Sequence, residues 1–171
     1  MRVISDLTYK IVAFSVIEDF KMDESVDWAI EMLRLGYETP SLLIVAGLTK
    51  PVIRIEGEEY LKAALKELNI KQQTGDNAIV CYSYYCMQKI AVLDNIRMNL
   101  QDLFSLNIYN DYPRSIYDFY LLYWAWDDFD YGSDWQHYWE SATKENIQDI
   151  IVEKAKEWLK IHEVETRQLF L

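Results

Sequence analysis

The carboxylates Asp127, Asp128, Asp130, Asp134 and Glu140 stand among Trp126, Tyr131, Trp135 and Trp139 in the stretch FYLLYWAWDDFDYGSDWQHYW, Phe119 to Trp139. A pair of carboxyl groups beside aromatic rings is what glycoside hydrolysis uses, one group protonating the leaving oxygen while the other attacks the sugar or activates water. That chemistry depends on the distance between the two groups, which sequence spacing does not set. His137 has Ser133 and Ser141 four residues to either side, the minimum of a base and a nucleophile if the segment is helical. No glycine-rich oxyanion turn or nucleophile elbow accompanies them, so a packed or solvated histidine explains the residue more simply.

Metal chemistry fits the same stretch poorly. A calcium loop with its glycine at Gly132 would place its first, third and fifth ligands on Asp127, Phe129 and Tyr131, and its twelfth on Tyr138. Two of those three early positions carry no suitable ligand, and a tyrosine stands where a bidentate glutamate belongs. For zinc there are only His137 and His162, and Cys81 and Cys86 lack the two-residue spacer of a zinc knuckle. No glycine-rich turn opens a helix to cradle phosphate. The sequence thus implies no metal, no cofactor and no assigned catalytic residue.

Composition narrows the class of partner. The formal charge is −11, from 17 basic and 28 acidic residues. A surface of that sign repels nucleic acid and anionic lipid and attracts cationic partners. Hydrophobic residues at 51% and charged residues at 26% allow a normal core, so one folded helical domain spanning 1–171 is expected. Asp6, Lys10 and Glu18 interrupt the apolar N-terminal stretch, and the longest uncharged apolar run, Leu42 to Leu48, is far too short to span a bilayer. The expected location is cytoplasmic, with Cys81 and Cys86 reduced and buried.

The elements that would position these residues read as helices throughout. Five Gly and three Pro are too few for the many turns of an all-β chain. In DESVDWAIEMLRLG the residues Val26, Ala29, Ile30 and Leu33 recur at helical spacing, and Gly36 follows as a left-handed cap. ETPSLLIVAGL predicts a short buried helix capped by Thr39, with Pro40 at its first position. EGEEYLKAALKELNI carries a stripe of Leu61, Ala64, Leu65 and Leu68, and QQTGDN precedes a helix holding both cysteines. Further helices are predicted from about Arg97 to Leu106, from about Ser115 to Asp127, as a short turn over Trp135 to Trp139 capped by Ser133, and from Thr143 onward. The last would bury Ile147, Ile150, Ile151, Ala155, Trp158 and Leu159. The expected fold is all-α, an irregular antiparallel bundle of seven or eight helices, with a short α-solenoid-like stack as the alternative.

About half of the chain's aromatic residues fall between Tyr109 and Trp139. Ile116, Phe119, Tyr120, Tyr123 and Trp124 lie at helical spacing and are expected to form a buried face. Tyr117, Trp126, Phe129, Tyr131, Trp135 and Tyr138 do not fit on that face, so part of this set must reach the surface. Exposed Trp and Tyr are enriched at protein interfaces. The expected binding residues are Trp126, Asp127, Asp128, Asp130, Tyr131, Asp134 and Trp135.

GYETPSLLIVAGL and YWESATKENIQDII resemble segments of small, acidic, helical bacterial proteins of uncharacterised function, of a style met among immunity proteins that neutralise secreted toxins. The resemblance implies a helical bacterial domain and assigns no functional residue. Together with the charge, it leads to the expectation of a non-enzymatic domain that binds a basic protein partner, an immunity-type inhibitor in its sharpest form. A carboxylate-dependent hydrolase acting on sugar and a structural homo-oligomer are the alternatives.

Overall fold

Helical spacing of apolar residues dominates the sequence, and the computed structural model, which describes residues 3–169, is correspondingly all-α. Met1, Arg2 and the last two residues, which the expected span 1–171 includes, lie outside the described residues. Among the described residues eight helices follow in order: α1 (Leu7–Ile11), α2 (Asp23–Arg34), α3 (Pro40–Ala46), α4 (Arg54–Glu67), α5 (Gly75–Ala91), α6 (Ile96–Tyr109), α7 (Tyr117–Asp130) and α8 (Ile147–Gln168). Two 3-10 turns, Phe14–Val16 and Arg114–Ile116, supplement them, and no strand occurs among the described residues. None of the described helices is long and apolar enough to cross a membrane. The chain divides into two compact units, one comprising the chain up to Tyr82 with the stretch from Thr166, the other Ser83–Glu165.

In the first unit α2 packs on α1 and α3, and α3 on α4. Trp28, Met32, Leu42, Val45, Leu61 and Ala64 are fully buried there. The indole of Trp28 donates to the Thr8 hydroxyl at 3.0 Å, so the largest buried ring keeps its one polar atom satisfied. The buried face of α2 is Val26, Trp28, Ala29 and Met32, whereas Ile30 and Leu33, expected in the stripe, are half-buried. The shift has a simple cause: Trp28 offers more apolar area than either aliphatic residue, and its burial turns the helix toward it.

Two expectations for α3 are corrected. Pro40 opens the helix and Gly47 closes it as expected, but Leu43 and Ile44 are 49% and 45% exposed, so the helix is buried on one side only. Thr39 makes no capping hydrogen bond. Glu67 of α4 caps the helix instead, accepting from the Ser41 amide at 2.9 Å and the Ser41 hydroxyl at 2.6 Å. These bonds, the hydroxyl's first, hold the Glu67 carboxyl below its ordinary pKa. A carboxylate at this position also complements the positive end of the helix dipole.

The second unit contains α6, α7 and most of α8, with α7 packed on α6 and on the 3-10 turn before it. Leu100, Leu103, Ile116, Phe119, Leu122, Ala125, Ile151 and Ala155 form its buried centre. Cys81 and Cys86 in α5 are both fully buried and form no disulfide. The apolar residues that α8 buries are Ile147, Ile151, Val152, Ala155 and Trp158, while Ile150 and Leu159 are half-buried. The helix starts at Ile147; Thr143 lies in a preceding turn, where its amide donates to the Asn146 side chain at 2.6 Å.

The expected buried face of α7 is also corrected. Phe119, Leu122, Ala125 and Phe129 are the residues it buries. Tyr120, Tyr123 and Trp124 are half-buried and form a ring cluster with Phe104 of α6. Phe104 stacks on Tyr123 with centroids 3.9 Å apart and on Tyr120 at 5.4 Å, and meets Trp124 edge-on at 5.5 Å. Rings with a polar tip favour this boundary position, where the face is dry and the hydroxyl stays wet.

Candidate functional site

The acidic aromatic residues belong to the end of α7 and the loop that follows it. α7 runs to Asp130, three residues past the expected end near Asp127, and closes at the YGSD break. Gly132 takes a φ of +90°, its amide donates to the Phe129 carbonyl at 3.1 Å, and the Ser133 amide donates to the Asp128 carbonyl at 3.0 Å. This pair of bonds is a Schellman closure, for which a left-handed glycine is the favoured residue.

Beyond it the short helix expected over Trp135 to Trp139 does not form. Gln136 organises the segment in another way. Its side-chain oxygen accepts from the amides of Tyr138 at 2.8 Å and Trp139 at 2.7 Å, and its side-chain nitrogen donates to the carbonyls of Trp139 and Ala142. One buried amide thus satisfies four backbone groups that a helix would have paired among themselves. The Ser133 hydroxyl donates to the Trp135 carbonyl at 2.5 Å and so pins the turn before it. Tyr138 stacks on Trp124 at 6.2 Å, and Lys154 lies 5.8 Å from the Trp139 ring, which fastens the far end of the loop to α7 and α8.

Within this frame the expected binding residues separate into two groups. Asp127, Asp130 and Trp126 converge on Arg97 of α6. The Arg97 guanidinium donates to Asp127 at 3.0 Å and lies 3.2 Å from an Asp130 oxygen. It also lies 4.8 Å from the ring centroid of Tyr123 and 5.1 Å from that of Trp126, within cation–π range. Trp126, Asp127 and Asp128 are half-buried. Through Arg97, the residues Trp126, Asp127 and Asp130 brace α7 against α6.

Tyr131, Asp134 and Trp135 form the second group and stand in solvent. Tyr131 is 86% exposed and Trp135 70%. Asp134 pairs with Lys144 at 2.8 Å, and the hydrogen bond from that ammonium, then its charge, keeps the Asp134 carboxyl below its ordinary pKa. The pair lies at the surface, where such contacts contribute little to stability. His137 is exposed and packs on Tyr138 at 4.1 Å. Among the described residues no three His, Cys, Asp or Glu side chains gather as a metal site would require.

Sequence reasoning missed Arg97, Gln136 and Lys144. The stretch from Phe119 to Trp139 contains no lysine or arginine, and its cations arrive from outside it, Arg97 from thirty residues before Asp127 and Lys144 from ten residues after Asp134. Gln136 had no signal, since a lone glutamine in a polar loop looks like any solvated residue. Compared with protein-family models, curated proteins and solved structures, the chain matches none.

Proposed function

We propose that this is a non-enzymatic recognition domain that binds a basic protein partner through the loop after α7, with Tyr131 and Trp135 as its anchors and Asp134 beside them. The observation that carries this reading is two large aromatic rings held in solvent on a backbone that is already tied down. The Gly132 closure, the Ser133 turn and the Gln136 amide fix the loop before any partner arrives. A pre-organised segment loses little conformational freedom on binding, which leaves more of the contact energy as affinity. Exposed Trp and Tyr are the residue types that most often dominate such contacts.

The charge of −11 favours a cationic partner and would accelerate encounter with it. An immunity-type inhibitor of a basic toxin is the sharpest form of this proposal, and the two resembling segments support it. A hydrolase is less favoured, because three of the carboxylates it would draw on are paired with cations, Asp127 and Asp130 with Arg97 and Asp134 with Lys144.

The test is affinity capture from bacterial lysate with the wild type and with Tyr131→Ala, Trp135→Ala, both residues being exposed enough for the fold to tolerate their loss. A basic protein retained by the wild type and bound at least about tenfold more weakly by the double variant is the expected result. Equal retention by both would refute this surface.

A further inference from the structure

The chain covers several of its own aromatic faces with cations: Arg97 over Tyr123 and Trp126, Lys154 over Trp139, Lys89 over Tyr85. A second cluster in the Ser83–Glu165 unit has no such cover. Tyr112, in the turn between α6 and α7, meets Tyr117 edge-on with centroids 6.4 Å apart and Tyr120 edge-on at 5.2 Å, while Tyr117 and Tyr120 stack at 5.5 Å. The plane of Tyr112 stands at 79° and 82° to the other two, so the three rings make a corner. Tyr112 and Tyr117 are 44% and 40% exposed, and among the described residues no cation lies over any of the three rings.

The corner is built rather than incidental. Asp111 and Tyr112 both adopt left-handed backbone, with φ of +59° and +54°. For a bulky residue such as tyrosine that conformation is strained and persists only where its surroundings impose it. They do so here through Asn107, which is fully buried. Its backbone carbonyl accepts from the Tyr112 amide at 2.8 Å, and its side-chain nitrogen donates to the carbonyls of Leu103 at 2.9 Å and Ile116 at 3.1 Å. Asn107 therefore joins the end of α6 to the entry of α7 and holds the turn that presents Tyr112.

Charge selects what such a corner receives. Asp111 precedes Tyr112 and Asp118 follows Tyr117, both exposed, and Arg114, the one basic residue between them, is not stacked over any of the three rings. Aromatic faces flanked by carboxylates attract cations, and a weakly hydrated, planar guanidinium loses less hydration against them than an ammonium does.

We propose that Tyr112 and Tyr117, held in place by Tyr120, which is itself stacked on Phe104, form a receiving surface for an arginine side chain of a protein partner. The proposal is independent of the Tyr131 and Trp135 anchors and stands or falls separately from them.

The test uses acetyl-arginine amide as the probe, titrated into the whole protein while ring resonances of the assigned tyrosines are followed by NMR. Acetyl-lysine amide and neutral acetyl-glycine amide serve as comparisons. Saturable shifts at Tyr112, Tyr117 and Tyr120 with the arginine probe are expected, weakened about three- to fivefold in Tyr117→Ala and in Asp118→Asn. Asp118→Asn removes charge without touching ring packing, so a folding defect in the tyrosine variant does not decide the outcome. Shifts of equal size with the lysine or glycine probe, absence of saturation, or an unchanged constant in Asp118→Asn would overturn the proposal.

Discussion

Replacing Arg97 by methionine tests the brace beneath the candidate surface. Methionine keeps much of the apolar stem and removes the guanidinium, so the loss reports on charge and ring contacts more than on volume. The Asp127 side chain is 19% exposed and Arg97 33%, which places their 3.0 Å pair between a surface pair, worth about 0 to 1 kcal/mol, and a buried one, whose breaking costs about 3 to 5 kcal/mol. The pair with the more exposed Asp130 at 3.2 Å adds a few tenths of a kcal/mol on the same scale. The two ring contacts add about 0.5 kcal/mol each. Together the expected destabilisation is about 2 to 3 kcal/mol, measured as a shift in the urea midpoint followed by circular dichroism and tryptophan fluorescence. Asp127→Asn completes a double-mutant cycle, in which a coupling of about 1 kcal/mol or more is expected. A loss below about 0.5 kcal/mol with no coupling to Asp127 would mean that the guanidinium is only a solvated surface group, and the reasoning about the brace would fail.

Gln136→Ala removes a buried amide that pairs with four backbone groups, so the loop should open at a cost of about 2 kcal/mol, seen as faster amide exchange at Tyr138 and Trp139 with α7 unaffected. Glu67→Gln tests the cap on α3. The folded carboxyl sits below its unfolded pKa, so its contribution is fully present above the ordinary glutamate value of 4.5 and is lost as pH falls through the lower folded one; the variant should lose that part of the acid dependence in an unfolding series from pH 6 downward. An acid limb identical in the two proteins would show that the Ser41 bonds carry no stability. Gly57→Ala sets two effects against each other: alanine gains about 1 kcal/mol of helix propensity, yet its Cβ would fall 2.7 Å from Val52 Cγ1 and clash with Met22 Cγ. Valine is stiff at χ1, so overpacking should win, with a net loss of about 1 kcal/mol by thermal or urea unfolding.

What the sequence determined by itself is what short-range rules control. Period and turn residues located most of the helices: Pro40 opens α3, Gly36 closes α2 in left-handed backbone, and Leu61, Ala64 and Leu65 of the expected stripe are buried, with Leu68, at its end, half-buried. All-α architecture and reduced, buried cysteines follow from the same local reading. Faces were less legible than helices. A helix rotates to bury its largest ring, so Trp28 displaced Ile30 and Leu33, and which rings of α7 end half-wet depended on Phe104 arriving from α6.

Tertiary structure alone decided the state of the charges. Coulomb attraction depends on distance in space, and nothing in the spacing of Asp127 and Asp130 announces an arginine thirty residues upstream of Asp127. The same holds for Glu67 capping a helix twenty-six residues before it. Gln136 shows the other limit. A buried amide that replaces helical hydrogen bonds wins over the local helix signal of Trp135 to Trp139 because it satisfies the same backbone groups while leaving Trp135 outside, and that balance exists only once α7 and α8 supply the surfaces on which Tyr138 and Trp139 rest.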